Sequence, residues 1–478
     1  METLQPGTSI YAVPVGFSEN KSIKNCRSIL SHVSRQLKKN IMPYTKIDFI
    51  AIFILSLPLN ILLIFRFLFF KERFSPFKNF GDSISFLYYS SLFFGIFLFA
   101  LYPENAAYYP SMSAMMFLGI CLIVYFSPLY YFQRRRALIL NVVSKKIFKF
   151  CCFFILIGGW VAIIHFTPRA IDVLTSNVSE FRILLNTGEL DVGSKTMTDK
   201  ILVGFSTFYG IAQLLGLIVF ASDLYGKWSK LIGVLLLISS VSYVINAFSF
   251  GGRDGVVYWI VSLWVNILLV RFFMGGLRIK ILKPYFILSV LLLLIPFSLI
   301  TASRFSNIFG YSLFDYMAQQ TIEFNNVFIL DPPLYHGDFH FYQFKEMLFG
   351  KERLLTKESM YGFYFEHGVF PWRFKYFFGS FLMDFGKIGT LTIVLLMALT
   401  VFILLIKKTR FSINDHIVGL DALLLLYLYC QIGFMGVFYF KHMALNNYML
   451  ALIGLSAIVY LGKLCGLKSF VSLKPATF

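Results

Sequence analysis

The feature that most constrains this chain is how its apolar residues are grouped. They come in uninterrupted blocks of about twenty residues, with neither the period of two of a strand nor the 3.6 period of a half-buried helix. A bilayer core is about 30 Å thick and takes about 20 helical residues to cross. Lipid offers no partner to an open backbone amide, so such a block is read as a helix. A transmembrane barrel needs alternating strands, and none is read here. Composition agrees: 58% of the 478 residues are apolar and 14% charged, where an ordinary soluble chain carries about 25% charged residues. A soluble enzyme, a disordered chain and a disulfide scaffold are excluded.

Eleven blocks are long enough to span, at about 47–66, 83–102, 110–132, 147–166, 200–222, 230–249, 255–274, 281–301, 387–407, 417–438 and 444–464. The expected fold class is therefore all-α, a polytopic integral membrane protein of about 11 transmembrane helices with one long outer loop. The chain divides into a basic segment at 1–46, eight spans within 47–301, the long loop at 302–386, and three spans with a tail within 387–478.

The net charge of +19 does not point to nucleic acid, because the cations sit in clusters at block ends. Arg134-Arg135-Arg136, Lys145-Lys146 and Lys407-Lys408-Arg410 all fall in alternate loops, and the positive-inside bias makes those loops cytoplasmic. The C-terminus is then inside, and the loops after the fourth and eighth spans face out. A reporter fused after Arg136 is expected to read cytoplasmic and one near Lys351 to read external; the reverse at either position overturns this orientation. Residues 1–46 disagree with it, since eleven spans put this basic segment outside. A miscounted span, a translocated tail or a start at Met42 would each account for that. The segment has no apolar core of the kind a signal peptide carries.

Six cysteines, Cys26, Cys121, Cys151, Cys152, Cys430 and Cys465, show no pairing pattern and read as small hydrophobes. No CxxC or HExxH spacing occurs, so no metal site is expected. Charged residues deep within spans are scarce and no interrupted pair of spans is evident, which disfavours an ion relay or an inverted-repeat transporter. His165, near a span end, reads as interfacial.

Two arginines stand at the outer surface against the charge bias. Arg253 lies in Ser249-Phe250-Gly251-Gly252-Arg253-Asp254-Gly255, a short turn between the sixth and seventh spans, and Arg304 follows the eighth. A guanidinium presents five donors in a planar fork suited to phosphate, and the glycines permit close backbone approach. The pair reads as a diphosphate clamp; the alternative is a snorkelling arginine against lipid headgroups, with Asp254 as partner. The long loop carries nine acids, from Asp315, Glu323, Asp331 and Asp338 through to Asp384, together with His336, His340 and His367. Such a set can supply acid–base catalysis on a sugar hydroxyl, and it is also what a solvated loop contains. The loop is rich in aromatic residues, which stack on sugars or seek the membrane interface. Ser312 to Leu330 reads as an amphipathic helix on the outer surface, closed by Asp331-Pro332-Pro333.

This layout resembles the bacterial O-antigen and oligosaccharide repeat-unit polymerases of the Wzy type. The Gly-Arg turn at 251–255 and the stretch from Phe378 to Thr390, with Asp384-Phe385-Gly386 at its centre, are similar to that family's Gly/Arg turn and to the Asp-aromatic-Gly segment opening the span after its large loop. Residues 1–41 depart from the family, which begins near its first span, and no family histidine is matched to His336, His340 or His367. The resemblance implies a glycosyltransferase of the bacterial inner membrane, with the long loop in the periplasm. It would polymerise undecaprenyl-diphosphate-linked glycans, with Arg253 and Arg304 on the diphosphate and catalytic residues among His336, His340, His367 and Asp384. No cofactor, metal or nucleic acid is implied; the partners are the lipid-linked glycans, the bilayer and a chain-length regulator. An O-antigen ligase and a lipid-linked oligosaccharide flippase or transporter are the competing readings.

Overall fold

The computed structural model describes residues 48–70, 74–102, 108–133, 139–142, 145–176, 197–222, 224–274, 309–338, 357–371, 373–409, 417–438 and 471–473, with isolated positions elsewhere, among them 297, 300, 301, 340, 341 and 345. Residues 1–47, most of the block at 281–301, Arg304, and the last block at 444–464 lie outside them.

Among the described residues seven helices are long and apolar enough to cross a membrane, and an eighth if the bent pair Ile201–Thr207 and Tyr209–Ala221, turned by 54°, is counted as one span. The chain is thus a helical, polytopic membrane protein. In order come α1 (Phe49–Phe69), α2 (Phe80–Leu101), α3 (Met112–Phe132), α4 (Lys145–Thr175), α5 (Met197–Thr207), α6 (Tyr209–Ala221), α7 (Ser229–Ser239), α8 (Ser242–Phe248) and α9 (Asp254–Met274). Then follow α10 (Phe309–Leu330), α11 (Lys357–His367), α12 (Tyr376–Thr409) and α13 (Leu420–Phe438). Three short strands, β1 (Ile139–Val142), β2 (Ile417–Gly419) and β3 (Val471–Leu473), form a small sheet in the order β2-β1-β3 that the block pattern did not reveal.

Local chemistry sets several boundaries. The Asp48 carboxylate caps α1, accepting from the amides of Ile50 at 2.9 Å and Ala51 at 3.1 Å. Asp82, in the first turn of α2, is wholly buried and ties three spans together. Its Oδ1 accepts from Arg66 Nη2 at 3.0 Å and from Gln133 Nε2 at 3.2 Å, and its Oδ2 from the Ser75 amide at 2.9 Å and Asn79 Nδ2 at 3.1 Å. The bundle centre is closed by tyrosines: the Tyr125 hydroxyl donates to the Tyr429 carbonyl at 2.6 Å, and Tyr429 returns the bond to Tyr125 at 2.7 Å.

Three expectations are corrected. First, α10 does not lie on the surface. Its buried face includes Gln320, Thr321, Glu323, Asn325 and Asn326, and it packs against the middle of α2, where Ser91 donates to Gln320 Oε1 at 2.9 Å. Gly95 makes this approach possible, since a Cβ there would stand 2.9 Å from Thr321 Oγ1. Polar residues are therefore turned into the protein, as the interior of a membrane bundle requires. Second, the helix expected from residue 387 begins at Tyr376 and is broken at Gly386, whose φ of 69° and ψ of −175° belong to a region that only glycine enters without strain. Third, the spans hold more buried polar side chains than the blocks suggested. Gln213, Asn246, Ser262, Asn266 and Gln431 are all buried. Asn266 Nδ2 donates to the Gly210 carbonyl at 3.0 Å, and Gln431 Nε2 to Ser262 Oγ at 2.9 Å. This network lies beside α5–α6, whose interruption at Phe208 was also not expected.

Candidate functional site

The turn between α8 and α9 is drawn tight by backbone bonds, with the Gly252 amide donating to the Ala247 carbonyl at 2.8 Å and Gly251 at a φ of 61°. It sets the Arg253 guanidinium 4.8 Å from the centre of the Tyr316 ring and 5.9 Å from that of Phe297. Tyr316 belongs to α10, so this turn meets the long segment after the eighth block. Tyr316 in turn packs edge-on against Phe374, with ring centres 5.3 Å apart.

Phe374 sits in the loop 368–375, which leads into α12 deep in the bundle. The depth follows from its contacts. Gly368 lies near Leu330 and Tyr108, whereas the Tyr376 hydroxyl is 2.9 Å from Thr321 Oγ1 and 3.2 Å from Ser91 Oγ in the middle of α2. The first part of α12 then returns to Gly386, where a Cβ would meet the Leu334 side chain. Loop and the first part of α12 together make a hairpin against α10.

The hairpin carries two cations against the acids of α10. Arg373 Nη1 is 2.6 Å from Glu323 Oε1, with Glu323 only 1% exposed. Lys375 is buried, and its ammonium donates to the carbonyls of Phe370 at 2.9 Å, Pro371 at 3.1 Å and Arg373 at 2.8 Å. Burial pulls the Lys375 ammonium below the usual lysine range, with Glu323 opposing. Asp315 is buried one residue before Tyr316. Burial lifts its carboxyl above the usual range, and the Arg373 charge opposes that.

A second cluster joins two of the predicted site residues. His340 Nδ1 lies 2.5 Å from Asp384 Oδ2, the His340 amide donates to the same oxygen at 3.0 Å, and both side chains are fully buried. Phe381 stands edge-on to the imidazole at 4.7 Å. A carboxylate so placed fixes the tautomer and the ring orientation of a histidine. Tyr335 lies near, its hydroxyl raised by burial and by the Asp384 charge. His367 is on α11, against the Phe363 ring at 4.7 Å. His336 is on an exposed turn at a φ of 51°, its carbonyl accepting from Lys345 at 2.5 Å. Arg304 lies outside the described residues. His165, read as interfacial, has its Nε2 2.7 Å from Asp199 Oδ1. Close by, Arg169 sits 4.8 Å over the ring of Phe250, in the turn that carries Arg253.

The sequence reading thus overlooked Arg373 and Lys375 and held Asp315 and Glu323 only as members of a long roll of acids. The usable signal was the run from Asp315 to Asn326, too polar for lipid and polar on more than one helical face. No known family model, curated protein or solved structure matches this chain.

Proposed function

We propose that this protein is a glycosyltransferase that polymerises undecaprenyl-diphosphate-linked oligosaccharide repeat units at the periplasmic face of the bacterial inner membrane. The observation that carries the reading is the seat of Arg253, held over Tyr316 where a tight turn meets α10 and the hairpin that leads into α12. A diphosphate leaving group develops charge as its bond to the sugar breaks, and a fixed cation at the membrane surface stabilises that charge. Arg304 is proposed as its partner. The buried His340–Asp384 pair and the acids of α10 supply groups able to hold the proton of an acceptor hydroxyl. A chain-length regulator is a proposed partner.

Deleting the gene tests this through the surface polysaccharide. Loss of the ladder with retention of single-repeat material supports polymerisation. Loss of all glycan on lipid A core supports a ligase, and an unchanged ladder overturns both. A transporter of lipid-linked oligosaccharide is the second reading. The interrupted α5–α6 span and the buried amides Gln213, Asn266 and Gln431 support it, since broken helices and interior polar groups line transport paths. Its loss would remove single-repeat material along with the ladder.

A further inference from the structure

We propose that the side-chain oxygens of Asn266 and Gln431 bind a monovalent alkali cation in the middle of the bundle, at a polar node shared by α6, α9 and α13. Gly210 lies near the middle of the bent span α5–α6, Ser262 and Asn266 near the middle of α9, and Tyr427 and Gln431 near that of α13. All five are buried. Side chains from two of these helices converge beside Gly210. A Cβ there would stand 2.1 Å from Tyr427 Oη, 3.0 Å from Ser262 Oγ and 3.2 Å from Gln431 Nε2, so only a residue without a side chain leaves them room.

The hydrogen bonds fix which way the amides face. Gln213 Nε2 donates to the Trp259 carbonyl at 3.0 Å. A carbonyl can only accept, so Gln213 Oε1 is left to accept from Asn266 Nδ2 at 3.2 Å. The same nitrogen donates to the Gly210 carbonyl at 3.0 Å, again an acceptor only. Asn266 must therefore turn its oxygen the other way. Gln431 Nε2 donates to Ser262 Oγ at 2.9 Å, and Asn266 Nδ2 is 3.5 Å from that hydroxyl oxygen, so one serine holds both amides close. Every amide nitrogen of the node is thus used. Asn266 Oδ1 and Gln431 Oε1 meet no donor among the described residues, and neither residue is more than 1% exposed.

A buried acceptor without a partner is costly to the fold, and polar contacts that merely join spans leave no such oxygens over. The shortfall here is one-sided, two acceptors and no amide donor. Water brings lone pairs as well as hydrogens and would itself need donors. A cation needs oxygens alone. None of the side chains at the node carries a charge, whereas a divalent ion draws on carboxylates. Neutral oxygens at mid-membrane, beside an interrupted helix, are a setting that binds alkali cations. The interruption at Phe208 lies two residues before Gly210. Bound there, the cation ties three spans together at the break. Its ligands follow no His or Cys spacing, so the site has no signature in the sequence.

The test uses the full-length protein in detergent at constant ionic strength, with sodium or potassium chloride exchanged for choline chloride. The thermal midpoint is expected to rise saturably by about 3–5 °C with one of the two metal ions. Binding of radioactive sodium, or of rubidium in place of potassium, should saturate over the same range. Asn266→Ala and Gln431→Leu should each abolish the rise. Gln431→Glu keeps an oxygen and adds a charge, and should bind the ion about tenfold tighter. A midpoint equal in sodium, potassium and choline overturns the cation site and leaves water at the node. A rise that persists in Asn266→Ala or in Gln431→Leu overturns its location. Should those two variants fail to reach the membrane, Gln431→Glu decides, and an affinity no tighter than wild type overturns the site. All of this is read without substrate, so the outcome is distinct from that of the surface-polysaccharide experiment.

Discussion

Replacing Asp82 by alanine is expected to cost about 3–5 kcal/mol of stability and most of the protein in the membrane fraction. The carboxylate is fully buried and its partner Arg66 only 10% exposed. Its removal takes a buried carboxylate away from the Arg66 guanidinium, and strips acceptors from Gln133, Asn79 and the Ser75 amide. Each donor left unmet adds to the cost. Arg66 also lies over the rings of Phe74 at 4.9 Å and Tyr130 at 5.7 Å, contacts that hold it near the vacated site. The readouts are membrane abundance by blot and the thermal midpoint in detergent. Removing Arg66 together with Asp82 should hurt less than the sum of the single changes, because two groups in contact couple. An Asp82→Ala protein with wild-type abundance and midpoint would show that this node does not hold the spans together.

That node also illustrates what was legible in the sequence. The blocks around Phe49–Phe69, Phe80–Leu101, Met112–Phe132 and Asp254–Phe272 are spans because twenty apolar residues in a row have no other stable home in a bilayer. Block length fixes such helices locally. Asp82 sits at a block end, where an acid attracts no notice, and its partners lie 16 and 51 residues away. Pairing at that distance is decided by packing. The same holds for His340 and Asp384, 44 residues apart. Both were candidates, but nothing in their spacing joins them to each other ahead of His336 or His367. The error over α10 has a related cause. An amphipathic pattern tells which residues share a face but not which solvent that face meets. Gly95 and Ser91, on another helix, turn the polar face inward. Within α12, an apolar run with glycines at 379, 386 and 389 did not say which of them takes the left-handed backbone.

Replacing Arg253 by alanine is expected to lower polymer synthesis by about tenfold to a hundredfold while the protein still reaches the membrane. A charge-assisted hydrogen bond to a diphosphate contributes about 1.5–3 kcal/mol, and about 1.4 kcal/mol is a factor of ten in rate. Arg253→Lys should recover only part of this, because an ammonium lacks the planar fork that spans two phosphate oxygens. The contacts with Tyr316 and Phe297 have a structural share, and a cation over an aromatic ring contributes about 0.5–1 kcal/mol at a partly exposed site. A loss confined to that share would lower the thermal midpoint slightly and leave polymer length unchanged. Lysine would then replace arginine fully, since an ammonium also sits over an aromatic face. The two roles separate further on ligand charge. A diphosphate clamp loses more affinity for undecaprenyl diphosphate than for undecaprenyl monophosphate when the guanidinium is removed. A residue that only pins α10 affects both equally. Normal polymer from the alanine variant, at equal membrane abundance, would return Arg253 to the lipid-contact role and leave the diphosphate without its cation in this turn.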